Sequence, residues 1–265
     1  MRKTVYKSVL AAACLAALSA QAQTAAPASS LSYNIGAVSE YRYRGISQSR
    51  FSPAIQGGVD YTDKSGMYLG AWASQIRWIK DAGITNSSTT NVNGSTELDL
   101  YGGYKFKAGP GEWDFGVLRY QYVGNNLNQI STANYSNPNT TEVYGAGTFG
   151  VFTAKYSYSL GDLFGNINSK GSTYLDLSAN LDLGTGLTLT PHVGKQDIKN
   201  NTTGSYTDYS VALAKEMSKG LVVSATAVST NAKASFYSLG ASGFGSANGK
   251  NLGKSTLVVG LKYSF

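Results

Sequence analysis

Thr256-Leu-Val-Val-Gly-Leu-Lys-Tyr-Ser-Phe265 alternates with a period of two. Counted back from Phe265, the residues Tyr263, Leu261, Val259 and Leu257 are apolar or aromatic, while Ser264, Lys262, Gly260, Val258 and Thr256 are mostly small or polar. Alternation of this kind marks a strand with one apolar face. In bacterial outer-membrane barrels a closing strand that ends on an aromatic, with no charged tail, is the segment read by the assembly machinery. Here that signal would be Leu261, Tyr263 and Phe265. The stretch therefore points to a compartment as well as to a shape.

The other end of the chain agrees. Arg2, Lys3 and Lys7 precede an apolar run from Val9 to Leu18, and Ala20-Gln21-Ala22 is a small-x-small cleavage motif. We expect a signal peptide over residues 1–22, cleaved after about Ala22, and one barrel domain over 23–265. The apolar run is too short to span a bilayer as a helix. Cys14 sits inside it and would leave with it, so the mature chain has no thiol for disulfide or metal chemistry. Of 22 basic residues three belong to the signal, which leaves 19 against 15 acidic ones, too small an excess for a nucleic-acid partner. The 19 Tyr and 31 Gly suit a barrel, with Tyr at the membrane interfaces and Gly at turns and small inward positions.

Twelve segments of about ten residues alternate in this way. They are Leu31–Arg44, Ala54–Tyr61, Met67–Trp78, Glu97–Phe106, Trp113–Tyr122, Glu142–Phe149, Phe152–Leu160, Tyr174–Asp182, Leu187–Gly194, Tyr206–Glu216, Leu221–Thr230 and the closing strand. The third alternates too poorly for its faces to be assigned, and the fifth changes phase near Leu118, as a β-bulge would make it. Connections after even-numbered strands are short; those after odd-numbered strands are longer and rich in Asn, Ser, Thr and Gly. An even strand count with alternating short and long connections predicts an all-β, transmembrane, antiparallel up-and-down β-barrel, with short periplasmic turns and longer extracellular loops. A two-sheet sandwich would have no reason to sort its loops by length.

Several strands resemble the TorF family of porins. Glu40-Tyr-Arg-Tyr-Arg-Gly-Ile-Ser-Gln-Ser49, Pro53-Ala-Ile-Gln-Gly-Gly-Val-Asp-Tyr61 and Ser65-Gly-Met-Tyr-Leu-Gly-Ala-Trp-Ala-Ser74 carry the resemblance most specifically. Glu97–Tyr104, Glu142–Tyr144, Ala154–Tyr158, Tyr174–Leu177 and Tyr206–Tyr209 continue it over nearly all of the mature chain. The chain departs from the family at Gln75-Ile-Arg-Trp-Ile79, where a short polar and acidic stretch is expected. The resemblance implies an outer-membrane barrel with channel activity.

With faces assigned, the polar side becomes a candidate pore lining: Glu40, Arg42, Arg44, Asp60, Glu97, Asp99, Lys105, Glu142, Lys155, Asp176, His192, Asp208 and Lys262. These charges would either line a wet passage and set ion selectivity or pair across strands into a salt-bridge lattice that fills the barrel. Glu40, Arg42 and Arg44 form the densest cluster on one strand face. Twelve strands lie between the eight whose side chains fill the interior and the sixteen that leave it open. In the long loops eight basic residues face three acidic ones, which would draw anions or rest against lipopolysaccharide phosphates. One histidine, no mature cysteine and no phosphate-binding glycine loop argue against an enzyme and against a metal or other cofactor. The expected partners are outer-membrane lipid and lipopolysaccharide, the barrel-assembly machinery and small hydrophilic solutes, with a monomer as the default. A barrel that conducts nothing and binds a partner through its loops is the alternative, with Phe236, Tyr237 and Phe244 of the Asn231–Lys254 loop as the place to look.

Overall fold

The structure, a computed structural model, describes residues 29–84, 92–130, 135–238 and 250–265. The expected signal peptide and the aromatic Phe244 lie outside the described residues. Twelve strands close into one antiparallel barrel. They are β1 (Ser30–Val38), β2 (Ala54–Thr62), β3 (Met67–Gln75), β4 (Thr96–Ala108), β5 (Gly111–Tyr122) and β6 (Thr140–Phe149). β7 (Phe152–Ser159), β8 (Thr173–Ala179, resuming as Leu181–Gly184), β9 (Leu187–Asp197), β10 (Tyr206–Ser218), β11 (Leu221–Thr230) and β12 (Thr256–Ser264) complete it. Each strand pairs with its neighbours in sequence, and β1 pairs with β12 to abolish the sheet edge. Phe265 extends that seam: its carbonyl accepts from Tyr33 N–H at 2.9 Å, its own N–H donates to Tyr33 O at 3.0 Å, and the two rings stack.

The alternation read from the sequence becomes an inside and an outside. Leu31, Ile35, Ile55, Leu69, Leu100, Phe115, Tyr156, Leu177, Val211, Leu257 and Leu261 all stand exposed on the outer surface. A continuous apolar belt around the molecule far exceeds what a soluble monomer exposes, and the solvent that fits it is lipid. No helix among the described residues is long and apolar enough to cross a membrane, so the strands do the crossing. The buried residues lie in the lumen instead, concentrated at the end that carries the long connections: Tyr41, Trp72, Trp78, Ile79, Leu118, Tyr120, Tyr122 and Leu127 form one cluster there.

Three expectations need correction. The first strand ends at Val38, not Arg44, because Arg44 and Gly45 have φ of 46° and 77° and turn the chain back on itself. The third strand ends at Gln75, and Trp78 opens a short helix, α1 (Trp78–Ile84), which takes the ambiguous residues out of the sheet. The fifth has no bulge: β5 keeps one register with both neighbours from end to end. Leu118 is buried in the lumen on the same face as Asp114 and Tyr120, while Arg119 and Gln121 face outward, where Arg119 donates to Thr141 Oγ1 at 2.9 Å. An apolar residue turned inward and a polar pair turned outward imitate a phase change.

Candidate functional site: a lumen crossed by a hairpin

Residues 39–53, between β1 and β2, do not stand above the barrel but fold into it. Arg42 and Tyr43 pair with Ser47 and Ile46, and Arg44-Gly45 is the two-residue turn. Positive φ at both central residues is the type I′ geometry that suits a tight hairpin, and glycine at the second position makes it accessible. The tip reaches the far wall. A Cβ on Gly45 would lie 2.5 Å from Thr230 Cγ2 and 2.7 Å from Asp208 Cβ, so only glycine fits against β10 and β11 at that point. Gly45→Val should therefore drive the hairpin out of the lumen, by collision and by about 1–3 kcal/mol of backbone strain. Trypsin cleavage near Arg42 on intact cells, absent in the parent protein, is the expected readout.

Arg44 is the anchor. Its guanidinium donates to Glu142 on β6 through Nη1 at 3.0 Å and Nη2 at 2.7 Å, and to Gln196 Oε1 on β9 at 2.8 Å. It also lies over the Tyr174 ring on β8, with Cζ 4.2 Å from the centroid. A planar fork holding a carboxylate at two points is the strongest geometry an ion pair takes. Tyr41 donates to Glu97 Oε1 on β4 at 2.5 Å, and the Tyr43 hydroxyl bonds that of Tyr120 on β5. Burial holds the Tyr41 and Tyr43 hydroxyls well above the usual tyrosine range, so both remain protonated donors. Arg42 donates to Gly45 O at 2.8 Å and Leu252 O at 2.9 Å, and its Nε lies 2.7 Å from Glu40 Oε1 as an ion contact not aligned as a hydrogen bond. Burial lowers the Arg42 guanidinium from its ordinary value, while Glu40 pulls it back up. From outside, Arg77 and Trp78 N–H both donate to Gln48 O, and Arg50 pairs with Asp81 of α1 at 2.8 Å.

The thirteen predicted lining residues are all buried or half-buried, but not as one population. Glu40, Arg42 and Arg44 belong to the hairpin rather than to a strand face, and each is about 5% exposed or less. Glu97, Asp99, Glu142 and Asp208, near the long-loop ends of their strands, are buried beneath it. Asp60, Lys105, Lys155, Asp176 and Lys262 lie at mid-barrel or towards the short-turn end and keep partial contact with solvent. The lumen is thus closely packed at the long-loop end and looser towards the short turns.

The salt-bridge lattice is not what fills it. Among the described residues the ion pairs are Arg42–Glu40, Arg44–Glu142, Arg50–Asp81 and His192 with Asp176 and Asp208, and none uses a lysine. Tyrosines hold the wall acids instead: Tyr101 donates to Asp60 and Tyr68 to Asp114, both at 2.6 Å, and Tyr174 to Asp208 at 3.0 Å. These rings lie flat because the adjacent strand offers a glycine: a Cβ on Gly70 or Gly194 would fall inside the ring of Tyr101 or Tyr174. Lys155 rests over the Tyr144 ring, 3.7 Å from its centroid, and Lys105 over Tyr68. Sequence reading set Tyr101 on the polar face of its strand without counting it as a lining residue, and it missed Tyr68, Tyr144, Tyr174 and Asp114, because a lumen tyrosine and a lipid-facing one look alike. The in-phase pairs Glu97/Tyr101 and Tyr174/Asp176 were the available signal.

His192 Nε2 lies 2.9 Å from Asp176 Oδ2, and Nδ1 lies 3.6 Å from Asp208 Oδ1. Its cross-strand register partners are Ser178 and Ser210, and neither hydroxyl hydrogen-bonds the ring among the described residues. The imidazole is held by the two carboxylates, with the Tyr174 hydroxyl 3.4 Å from Nε2. No group of three His, Cys, Asp or Glu among the described residues is placed to share a metal ion.

A closed twelve-stranded barrel with an apolar outer belt and a charged, tyrosine-laced interior is an outer-membrane β-barrel of the porin type. Residues 21–265 match the bacterial family of unknown function Gcw_chp, and the chain belongs to that family. No curated protein is significantly similar in sequence. Among solved structures the chain resembles the KdgM porin (TM-score 0.50, 9% identity, covering 89% of this chain and 99% of that one). It is as similar to the NanC porin (TM-score 0.50, 11% identity, with 89% and 99% covered). An outer membrane channel from Pseudomonas putida F1 aligns over 91% of this chain and 96% of its own, at 12% identity and TM-score 0.47.

Proposed function

We propose that the protein is an outer-membrane diffusion channel for small hydrophilic solutes or ions, closed at its long-loop end by the 39–53 hairpin. The observation that carries this reading is the division of the lumen. In the half nearest the short turns Lys105, Lys155 and Lys262 are only partly buried and make no salt bridge among the described residues, whereas the other half is closed by Arg44 on Glu142. A barrel built only to be stable has no use for three such cations inside it. The resemblance to the TorF family of porins supports the same reading. No bound cofactor enters this mechanism, which rests on lumen width and on the field of the charges.

Liposome swelling tests it. Vesicles carrying the purified protein should swell in small sugars or salts, slowly at first and faster in a hairpin-displaced variant such as Gly45→Val. Equal impermeability of both would contradict a channel. Among charge variants, Lys155→Glu should shift the reversal potential in a salt gradient towards cations, because Lys155 makes no salt bridge among the described residues.

The apolar cluster over the hairpin favours a second reading, a non-conducting barrel that binds through its loops, and the same swelling experiment separates the two. Partners follow from the surface. The outward Leu261, Tyr263 and Phe265 are offered to the assembly machinery, and Phe265→Ala should lower the yield of heat-modifiable, folded barrel in outer-membrane fractions. The basic loops suit lipopolysaccharide phosphates, and a monomer suffices for all of this.

A further inference from the structure

Above the hairpin, on its long-loop side, lies a cavity that the channel reading does not use. It is a small cavity of about 80 Å³, partly open to solvent, so a ligand would seat only part of its surface there. All six long connections, or the strand ends beside them, contribute to it, and its lining is rich in rings, among them Tyr43, Trp78, Tyr122, Phe164, Tyr206 and Phe236. The rings are set steeply to one another. Trp78 and Tyr122 meet at 89° with centroids 5.2 Å apart, Tyr43 and Phe164 at 85° and 5.8 Å, and Tyr206 and Tyr237 at 80° and 5.2 Å. Edge-to-face packing makes a box of rings rather than a stack.

Several polar groups of the lining are already engaged by the protein. Arg44 is held by Glu142 and Gln196. Gln196 accepts from Arg44 with Oε1 and donates with Nε2 to Thr173 O at 3.0 Å. Asn166 donates to Leu163 O at 2.8 Å and accepts from Asn201 at 3.1 Å. Tyr237 donates to Gly204 O at 2.6 Å. Such a site offers no uncommitted charge and few unmet hydrogen bonds, so a sugar would lose more hydration than it regained. A cation would meet the Arg44 guanidinium in place of a carboxylate. Rings that present faces and edges in a half-enclosed box suit another flat ring.

We propose that this cavity is a binding site for a neutral, flat heteroaromatic molecule arriving from the long-loop side. The proposal goes beyond the channel reading and is independent of it: such a site would serve a conducting and a silent barrel alike. Its test is equilibrium dialysis of the full chain, purified from outer membranes in detergent micelles, with protein-free micelles as the partition control. The probes are caffeine, methyl α-glucopyranoside and choline. Saturable caffeine binding is expected, with neither of the others bound, and Phe236→Ala should weaken it about tenfold, the worth of one aromatic contact. Trp78→Phe keeps a ring in place if the alanine variant does not fold, and should weaken binding by less. A heat-modifiability gel reports folding for both. No saturable caffeine binding, binding of the sugar or choline in its place, or caffeine binding indifferent to both substitutions would overturn the proposal. Conduction without binding would sink the site and leave the channel, and binding by a silent barrel would do the reverse.

Discussion

With Arg42–Ser47 excised and the ends joined through glycines, the barrel is expected to conduct continuously and to prefer cations. The excised segment carries the two arginines buried inside the long-loop half, and what it leaves behind is a wall of Glu97, Asp99, Glu142 and Asp208. Those four carboxylates would then meet water and face one another across the opening, as acidic rings do in cation channels. The lysines Lys105, Lys155 and Lys262 stand further down and would temper the preference without reversing it, because the narrowest charged section sets it. A reversal potential in a salt gradient reads the sign. Anion preference in the excised variant would mean that the lysines, or the basic outer loops, control selectivity instead.

Arg44→Ala is expected to release the hairpin while leaving the barrel standing. The substitution strips from Glu142, itself 2% exposed, the one cation ion-paired with it among the described residues. Removing one partner of a buried pair costs about 3–5 kcal/mol, because the remaining charge stays desolvated. The cheapest escape is for the hairpin to leave and admit water, since twelve strands of backbone ladder hold the wall, whereas the loop is held by side-chain contacts and a few backbone hydrogen bonds, from Arg77 and Trp78 N–H to Gln48 O and from Ser47 N–H to Leu252 O. Trypsin on intact cells should then cut after Arg42 or Arg50, identified by mass. Pairing it with Glu142→Gln removes the stranded charge and should restore most of the protection. Protection unchanged in the single variant would place the anchor elsewhere, in Tyr41 on Glu97 or in the tip against Asp208.

Much of the fold was legible because lipid imposes a simple rule on a strand. Leu98, Leu100 and Phe106 against Glu97, Asp99 and Lys105 can be read off β4 without ambiguity, and the seam at Phe265 follows from the same alternation. Legibility fails where that rule stops applying. Glu40, Arg42 and Arg44 keep a period of two because a β-hairpin also has one, so the alternation ran on past Val38 into a loop. The glycine that ends it, Gly45, follows a residue with positive φ, and Arg-Gly is a weaker turn signal than Asn-Gly or Asp-Gly. At Leu118 the interior of the long-loop end is apolar, so an inward residue looked like an outward one. The site was therefore half legible. Its acids and lysines were found by phase, whereas the tyrosines that hold the acids were not counted among the lining, since Tyr serves the membrane interface equally well.

The account stands most directly on single-channel recording in planar bilayers of the full-length barrel beside its hairpin-excised form. It predicts long closed periods with brief openings for the intact protein, and steady open steps for the excised one. An intact protein that stays open as long and conducts as much as the excised form would show that the hairpin does not close the lumen.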